Sequence, residues 1–158
     1  MKILICGHGG HGKTTLARHL GLPYTDSTKI AMESIVWPSW GLMEYDTMRE
    51  CHEDRRNQRA RWQRTIAEFN HKDKARFGRL VFGYCNIYAG CRDQCEFNAM
   101  KAAGVFDVSV FVDASERLPL EQGMTVTPDM CDIVVQNNGT LKEFMKKIDV
   151  LREVFHTI

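Results

Sequence analysis

Eight residues near the start of the chain have the types and the spacing of a phosphate-binding loop. Gly7 to Thr14 read Gly-His-Gly-Gly-His-Gly-Lys-Thr, which fits the pattern G-x-x-x-x-G-K-[ST] at every position. The apolar residues 3–6 predict a buried strand before the loop, and residues 15–20 predict a helix after it, which is the context that the motif requires. Because such a loop holds phosphate oxygens with its backbone N–H groups, we expect a nucleoside triphosphate here.

Within this loop, the backbone and two side chains are expected to bind different parts of the nucleotide and its metal. Lys13 is expected to reach the β- and γ-phosphates, and the Thr14 hydroxyl is expected to bind Mg²⁺. The two histidine rings are expected to face away from the phosphates. The predicted nucleotide-binding residues are Gly7, His8, Gly9, Gly10, His11, Gly12, Lys13, Thr14 and Thr15, together with Asn138 from a later loop. ATP and Mg²⁺ are the expected cosubstrate and metal.

Short apolar runs that alternate with helical patterns predict an α/β fold with a mostly parallel, five-stranded sheet and helices on both faces. The predicted strands are residues 3–6, 22–25, 86–89, 108–112 and 131–135. The loops that follow them then meet at one edge of the sheet, so residues 7–14, 26–33, 89–93, 113–117 and 136–140 are expected to share a cleft. Residues 29–36 predict a helix that Pro38 ends, and a long helical region is predicted from Asp46 to about Asn70.

Length and composition are those of one globular domain over residues 1–158. Within it we expect an inserted helical region at about 38–83, which binds the acceptor, and a lid-like loop at about 113–129. No apolar run approaches the roughly 18 residues that a membrane span needs, so we expect a cytoplasmic protein that does not bind a membrane. The six cysteines are expected to be free thiols.

Positive charge is concentrated in one segment, although the net charge of the chain is only +1. Residues 49–79 hold ten Lys or Arg and five Asp or Glu, a net charge of +5. Such a segment is suited to binding the phosphate of an acceptor or the backbone of a nucleic acid. The alternative is a solvated helix face whose charges pair with one another.

Several side chains at the predicted cleft could take part in phosphoryl transfer. Arg92 follows a predicted strand and could bind an acceptor phosphate, and Arg117 in the lid-like loop could stabilise the transferred phosphoryl group or be a solvated arginine. Asp26 could deprotonate an acceptor hydroxyl, cap the following helix, or do both. Asp113 is a second candidate for the metal site, with a turn aspartate as the alternative. The predicted acceptor-binding residues are Glu33, Trp37, Arg55 and Arg92. The alternatives are a pair with Lys29 for Glu33, a core position for Trp37 and a surface arginine at a helix start for Arg92.

Two other classes of phosphate-loop protein fit the sequence less well. We find no Asn-Lys-x-Asp motif, which switch GTPases use to read guanine, and the predicted strand 86–89 is not followed by the paired acids of motor ATPases. A small-molecule kinase fits better, because it needs a nucleotide loop, an acceptor site and arginines around the phosphoryl group.

Nearly the whole chain resembles bacteriophage P-loop kinases of the nucleoside-monophosphate-kinase-like group. The resemblance is carried by the loop 7–14 and by the motifs Cys51-x-x-Asp54-Arg55, Arg61-Trp62, Ile87-Tyr88-x-Gly90-x-Arg92, Phe106-Asp107, Val112-Asp113-Ala114-Ser115-x-Arg117 and Asn137-Asn138-Gly139-Thr140. Within the group the chain most resembles the phage kinases that phosphorylate 5-hydroxymethyluracil in DNA. It is more distantly similar to phage deoxynucleoside monophosphate kinases, through Gly90-x-Arg92-x-x-x-Glu96.

The resemblance implies an ATP-dependent kinase in the host cytoplasm that acts on the hydroxymethyl group of 5-hydroxymethyl-deoxyuridine in DNA. The first alternative is a kinase of free deoxynucleoside monophosphates, and the second is a non-catalytic nucleotide-binding switch. An alcohol acceptor needs a general base, for which Asp26 is the nearest candidate, whereas a monophosphate needs only arginines to hold it. The sequence supplies both kinds of residue and leaves the oligomeric state open.

Overall fold

Four short parallel strands form the centre of the molecule, in the spatial order β2-β1-β3-β4. The computed structural model describes residues 1–157. Its strands are β1 Ile3–Cys6, β2 Ile87–Cys91, β3 Val108–Asp113 and β4 Ile133–Gln136. All four residues of β1 are completely buried, because β1 lies between two neighbours and both faces of the sheet are covered.

The expected fifth strand is absent from the described chain, so the prediction of a five-stranded sheet is wrong. Residues 22–25 run beside β2 but form only one isolated bridge, between Tyr24 and Ile87. Pro23 has no N–H group and contributes only its carbonyl, which accepts a 2.8 Å hydrogen bond from the N–H of Asn86. A four-residue segment that lacks this donor cannot build a ladder.

Helices cover both faces of the sheet, and each face has its own hydrophobic core. The helices are α1 Lys13–His19, α2 Ser27–Ala31, α3 Leu42–Glu44, α4 Met48–Glu53, α5 Arg59–Phe69, α6 Arg76–Tyr84, α7 Gln94–Ala102 and α8 Leu141–Thr157. Because side chains alternate along β1, Leu4 faces a core that includes Trp40 and Trp62, and Ile3 faces one that includes Phe144.

Pro38 does not end the helical segment that begins at Ser27. Wider π-helical turns, Met32–Gly41, continue from α2 with Pro38 inside them, and α3 follows directly. In an α-helix the proline ring clashes with the carbonyl four residues earlier, and the wider turn relieves this clash.

The long helix predicted from Asp46 to Asn70 is broken, and Thr47 rather than Asp46 caps its first piece, α4. A short 3₁₀ turn, Asp54–Arg56, separates α4 from α5. The carboxylate of Asp54 accepts hydrogen bonds from the Tyr45 hydroxyl at 2.6 Å and from the Asn57 amide at 2.6 Å. These local bonds favour a turn over a continuous helix.

The connection between β3 and β4 is mostly irregular. Residues 114–127, between β3 and a 3₁₀ turn at Pro128–Met130, contain no helix or strand and form the loop that the sequence predicts to be lid-like.

Within the described chain, no helix has both the length and the apolarity that crossing a membrane requires.

Candidate active site

Residues 7–14 form a tight loop between β1 and α1, and glycines are required at its two ends. Gly7 has φ +142°, and a Cβ atom there would lie 2.5 Å from the carbonyl oxygen of Val112. Gly12 has φ +110°, and a Cβ atom there would lie 2.8 Å from the side-chain nitrogen of Asn137. These positions admit no other residue without displacing neighbouring atoms, so the glycine pattern of the motif has a direct steric cause.

Lys13 lies inside the loop that it is expected to serve. Its ammonium group donates hydrogen bonds of 2.7 Å each to the carbonyl oxygens of Gly7 and His8. Burial, aided by the charge of Arg92 and opposed by that of Glu121, lowers the pKa of Lys13 to about 8. The third N–H of the ammonium group has no partner assigned within the described chain, and Lys13 borders the adjoining cavity.

A cavity of about 950 Å³ extends from this loop to a chamber beneath the inserted helices. Its loop end is lined by Gly9, Gly10, Lys13, Thr14, Asp26, Arg59, Arg92 and Glu121. Its far end is lined by Trp62, Asn70, Phe77, Tyr88 and Glu96, among others. A smaller recess of about 220 Å³ borders Gly10, Gly12, Lys13, Thr14 and Thr15 on the other side of the loop.

Glu121, from the lid-like loop 114–127, lies at the loop end of the cavity. Its carboxylate accepts a 3.1 Å hydrogen bond from the backbone N–H of Gly9. It also forms ion pairs with Arg59, at 3.0 Å, and with Arg92. Its own backbone N–H donates to Nδ1 of His8 at 2.8 Å. Burial and the neighbouring imidazole of His11 lower the pKa of His8, which keeps that nitrogen available as an acceptor.

His11 is fully buried and joins the phosphate-binding loop to the lid-like loop. The backbone N–H of Ala114 donates to its Nδ1 at 3.0 Å, so Nε2 carries the proton and donates to the carbonyl oxygen of Pro119 at 3.1 Å. Both histidine side chains therefore bind the lid-like loop.

Asn137, directly after β4, contacts both the phosphate-binding loop and the end of β3. Its side-chain amide donates a 2.8 Å hydrogen bond to the carbonyl oxygen of His11, and its backbone N–H donates to the carbonyl oxygen of Asp113 at 2.6 Å. Arg117 donates from Nε to the carbonyl oxygen of Asn137 at 2.7 Å. Asn138, which the sequence singled out instead, accepts a hydrogen bond from the N–H of Glu116 at 3.1 Å.

The far end of the cavity combines aromatic surfaces with buried polar groups. The Tyr88 hydroxyl donates to the carboxylate of Glu96 at 2.9 Å. Burial raises the pKa of Glu96 to about 7, against the opposing effect of that hydrogen bond. Trp62 is 6% exposed, and its indole N–H has no hydrogen-bond partner within the described chain. A planar ligand with polar edges suits these surroundings.

Asp26 both caps a helix and lines the cavity. It caps α2, because its Oδ1 accepts hydrogen bonds of 2.9 Å from both the backbone N–H and the hydroxyl of Thr28. It also lines the cavity on the same side as Thr14. Its second carboxylate oxygen has no hydrogen-bond partner within residues 1–157, so it can accept a hydrogen bond from a ligand.

The structure brings part of the predicted site together and leaves part of it outside. Lys13, Thr14, Asp26 and Arg92 line the cavity. Of the other predicted residues, Gly9 and Gly10 also line it, Gly12 and Thr15 border the smaller recess, and those that line neither are Gly7, His8, His11, Glu33, Trp37, Arg55, Asp113, Arg117 and Asn138. Glu33 is exposed on the π-helical segment, whereas Trp37 packs against the core. Arg55 instead donates to the carbonyl oxygen of His52 at 3.2 Å, and Asp113 accepts a 2.9 Å hydrogen bond from the N–H of Ser115.

Four residues of the site were missed from the sequence. Glu121 and Arg59 carry no local signal, because they meet only when the lid-like loop and the start of α5, 62 residues apart in sequence, fold over the cleft. Asn137 lies in a turn whose next residue was chosen instead. Glu96 does have a signal, since it lies in the first turn of α7, just after the end of β2 at the edge of the sheet where the cleft is expected.

The loop fits a nucleotide phosphate with Mg²⁺. Gly9, Gly10 and Lys13 line the cavity, and Thr14 offers a hydroxyl oxygen at its wall. Mg²⁺ commonly keeps its waters and takes phosphate oxygens with one or two protein ligands, so a hydroxyl beside a bound phosphate would suit it. Within residues 1–157, no three His, Cys, Asp or Glu side chains cluster in a way that would hold a metal.

Comparisons with known proteins add little to this geometry. No family model matches the chain, and no curated protein does either. Among solved structures, the chain is similar to the crystal structure of shikimate kinase from Bacteroides thetaiotaomicron, with 14% sequence identity over 99% of this chain and 98% of that chain and a TM-score of 0.48. A likeness of this strength supports no statement about substrate, so the function must be judged from the site.

Proposed function

We propose that this protein is an ATP-dependent kinase that phosphorylates the hydroxymethyl group of 5-hydroxymethyl-deoxyuridine in DNA. The observation that carries the proposal is the single cavity of about 950 Å³, which joins a phosphate-binding loop to an aromatic chamber and has the Asp26 carboxylate on its wall. A site with a triphosphate-binding loop, an aromatic chamber and a carboxylate at the loop end of the cavity is suited to phosphoryl transfer to an alcohol.

The residues divide the reaction as follows. The loop amides and Lys13 hold the triphosphate of ATP, and Mg²⁺, when bound at Thr14, would neutralise part of its charge. Asp26 accepts the proton of the acceptor hydroxyl while the oxygen of that hydroxyl forms a bond to the γ-phosphorus. The bond from that phosphorus to the bridging oxygen breaks, and ADP leaves. Arg92 stabilises the charge on the transferred group.

The chamber supports a nucleobase as the acceptor. Trp62 and Phe77 offer apolar ring surfaces, and the Glu96 carboxyl offers a titratable partner for a polar edge. A base in duplex DNA would have to leave its stack to enter, as it does in other enzymes that modify bases.

A free deoxynucleoside monophosphate is the second candidate, and one observation favours it. Arg59 and Arg92 both reach the loop end of the cavity, in addition to Lys13. Two arginines are what a second, acceptor phosphate would require, and such an acceptor is nucleophilic without a general base.

The experiment is a transfer assay with γ-labelled MgATP. The acceptors are a duplex containing 5-hydroxymethyluracil, the matching thymine duplex, and the four deoxynucleoside monophosphates. Label on the hydroxymethyluracil duplex alone supports the proposal. Label on a monophosphate alone supports the second candidate, and binding of ATP without transfer to any acceptor leaves the non-catalytic switch.

A further inference from the structure

We infer that the Glu121 carboxylate occupies the position of a phosphate group, and that Arg59 together with Arg92 binds this phosphate when Glu121 moves away. The inference deepens the proposed function and rests on it, because it requires that the cleft take a phosphate-bearing substrate. It gives Arg59 a role in ligand binding. It also means that the Glu121 carboxylate of the lid-like loop competes with a substrate phosphate for Arg59 and Arg92.

The contacts of this carboxylate are those that a phosphate would make. Gly9 donates a loop N–H to Oε2 at 3.1 Å, Arg59 donates to Oε1 at 3.0 Å, and Arg92 donates to the same oxygen. The N–H groups of this loop type are the ones that bind phosphate oxygens. A carboxylate shares the negative charge and the acceptor oxygens of a phosphate, so the same three donors can serve either group.

The Glu121 contact can be displaced. The two arginine side chains are 63% and 42% exposed and the Glu121 side chain is 19% exposed, so solvent screens these ion pairs at the arginines and their contribution to stability is modest. A phosphate group carries more charge and more acceptor oxygens than the one carboxylate, and the other phosphates of the substrate bind alongside it.

The geometry also explains why Arg59 lies where it does. It begins α5, in the inserted helical region, and reaches across the cleft to a residue 62 positions away in sequence. Arg56, three residues earlier, forms no ion pair within the described chain. Of the cations in residues 49–79, Arg59 and Lys74 line the cavity, and Arg59 is the one that pairs with Glu121 at its loop end.

The experiment measures binding of MgATP, MgADP and dTMP to the full chain by calorimetry. The test variant is Glu121→Gln, which keeps the shape of the side chain and removes its charge. The matched control is Glu116→Gln, an exposed acid in the same loop. We expect Glu121→Gln to raise the affinity about tenfold for whichever ligand puts a phosphate at this position, and Glu116→Gln to change it less than twofold.

The three ligands separate the two sources of the phosphate. A gain for MgATP but not MgADP assigns the position to the γ-phosphate, and a gain for dTMP assigns it to the acceptor phosphate. Equal affinities of wild type and Glu121→Gln for all three ligands overturn this inference and leave the proposed function standing. Failure of both proteins to bind any of the ligands overturns the proposed function as well.

A second pair of variants tests Arg59 itself. In the Glu121→Gln background, Arg59→Ala is expected to weaken binding of the same ligand by about tenfold, since a charge-assisted hydrogen bond is lost. Arg56→Ala in that background is the control and should change affinity less than twofold. An unchanged affinity in the Arg59→Ala variant would show that Arg59 only anchors the lid-like loop.

Discussion

Asp26 serves the fold with one carboxylate oxygen and faces the cleft with the other, and one substitution separates these roles. Asparagine caps helices as well as aspartate does, so Asp26→Asn should leave the melting temperature within about 2 °C of wild type. If Asp26 is the base for an alcohol acceptor, kcat should fall by about 10²–10⁴-fold. Asp46→Asn, at an exposed residue outside the cleft, is the control. A loss under tenfold would leave Asp26 with capping alone.

Lys13 makes nucleotide binding dependent on protons. Its pKa of about 8 means that the ammonium group has already lost part of its proton at pH 8, whereas a bound polyphosphate favours the charged form. We therefore expect binding of MgATP at pH 8 to take up a fraction of a proton, seen by calorimetry in buffers of different ionisation enthalpy. The uptake should vanish in Lys13→Met. Its persistence there would assign the proton to another group.

Glu96 is expected to set a pH dependence of stability opposite to that of most carboxylates. Burial raises its pKa to about 7, so between about pH 4.5 and 7 the folded protein binds more protons than the unfolded chain, and stability falls as pH rises. Glu96→Gln keeps the hydrogen bond with Tyr88 and removes the charge. Denaturant unfolding should therefore show the variant to be more stable than wild type by about 2–3 kcal/mol at pH 8 and about equal at pH 4.5. An equal difference at both values would rule out titration of Glu96.

At the scale of elements, the lid-like loop 114–127 is held against the phosphate-binding loop mainly by imidazole rings. His11→Ala removes an acceptor from Ala114 and a donor from Pro119 at a fully buried position, so we expect a loss of about 2–4 kcal/mol in unfolding free energy. Hydrogen exchange should become faster at the amides of residues 114–121. His71→Ala, at an exposed position, should change neither quantity. Unchanged exchange in His11→Ala would mean that other contacts hold the loop.

The elements that the sequence predicts best are those in which local pattern and motif agree. The unit of strand, loop and helix at residues 3–19 is an example, because glycine positions, apolar burial and helix start all indicate the same structure. Residues 22–25 have the apolar character of a strand, but the missing N–H of Pro23 limits them to one bridge. Pro38 was expected to end a helix, but the wider π-helical turns that accommodate it cannot be read from residue type.

Among the residues of the candidate site, too, those next to a local sequence pattern could be predicted and those that depend on distant contacts could not. Lys13, Thr14 and Asp26 could be predicted because each lies within or next to a strand end that the pattern identifies. Glu121 and Arg59 could not, since their pairing depends on how two long connections cross the cleft. The predicted acceptor residues Glu33, Trp37 and Arg55 do not line the cavity, because the π-helical segment carries Glu33 and Trp37 and the 3₁₀ turn Asp54–Arg56 holds Arg55 against the backbone of His52.

At the scale of the whole molecule, the basic segment 49–79 is less available than its composition indicates. Arg49, Arg61 and Arg79 form ion pairs with acidic side chains, and Arg59 pairs with Glu121. Arg76 lies over the ring of Phe69 at 3.9 Å, and Arg55 binds a backbone carbonyl. The cations of the segment with no such partner in the described chain are Arg56, Arg64, Lys72 and Lys74, of which Lys74 lines the cavity.

This charge distribution predicts a modest salt dependence for DNA binding. Each phosphate neutralised contributes about −0.9 to the slope of log K against log salt concentration, so about four available cations give a slope near −4, and a steeper slope would need cations from outside this segment. The combined Arg56→Ala and Arg64→Ala variant should reduce the slope by about 2 with a hydroxymethyluracil duplex. Lys142→Ala, on the exposed face of α8, is the control. A slope near zero in wild type would contradict backbone contacts by this segment and favour a free nucleotide as the acceptor.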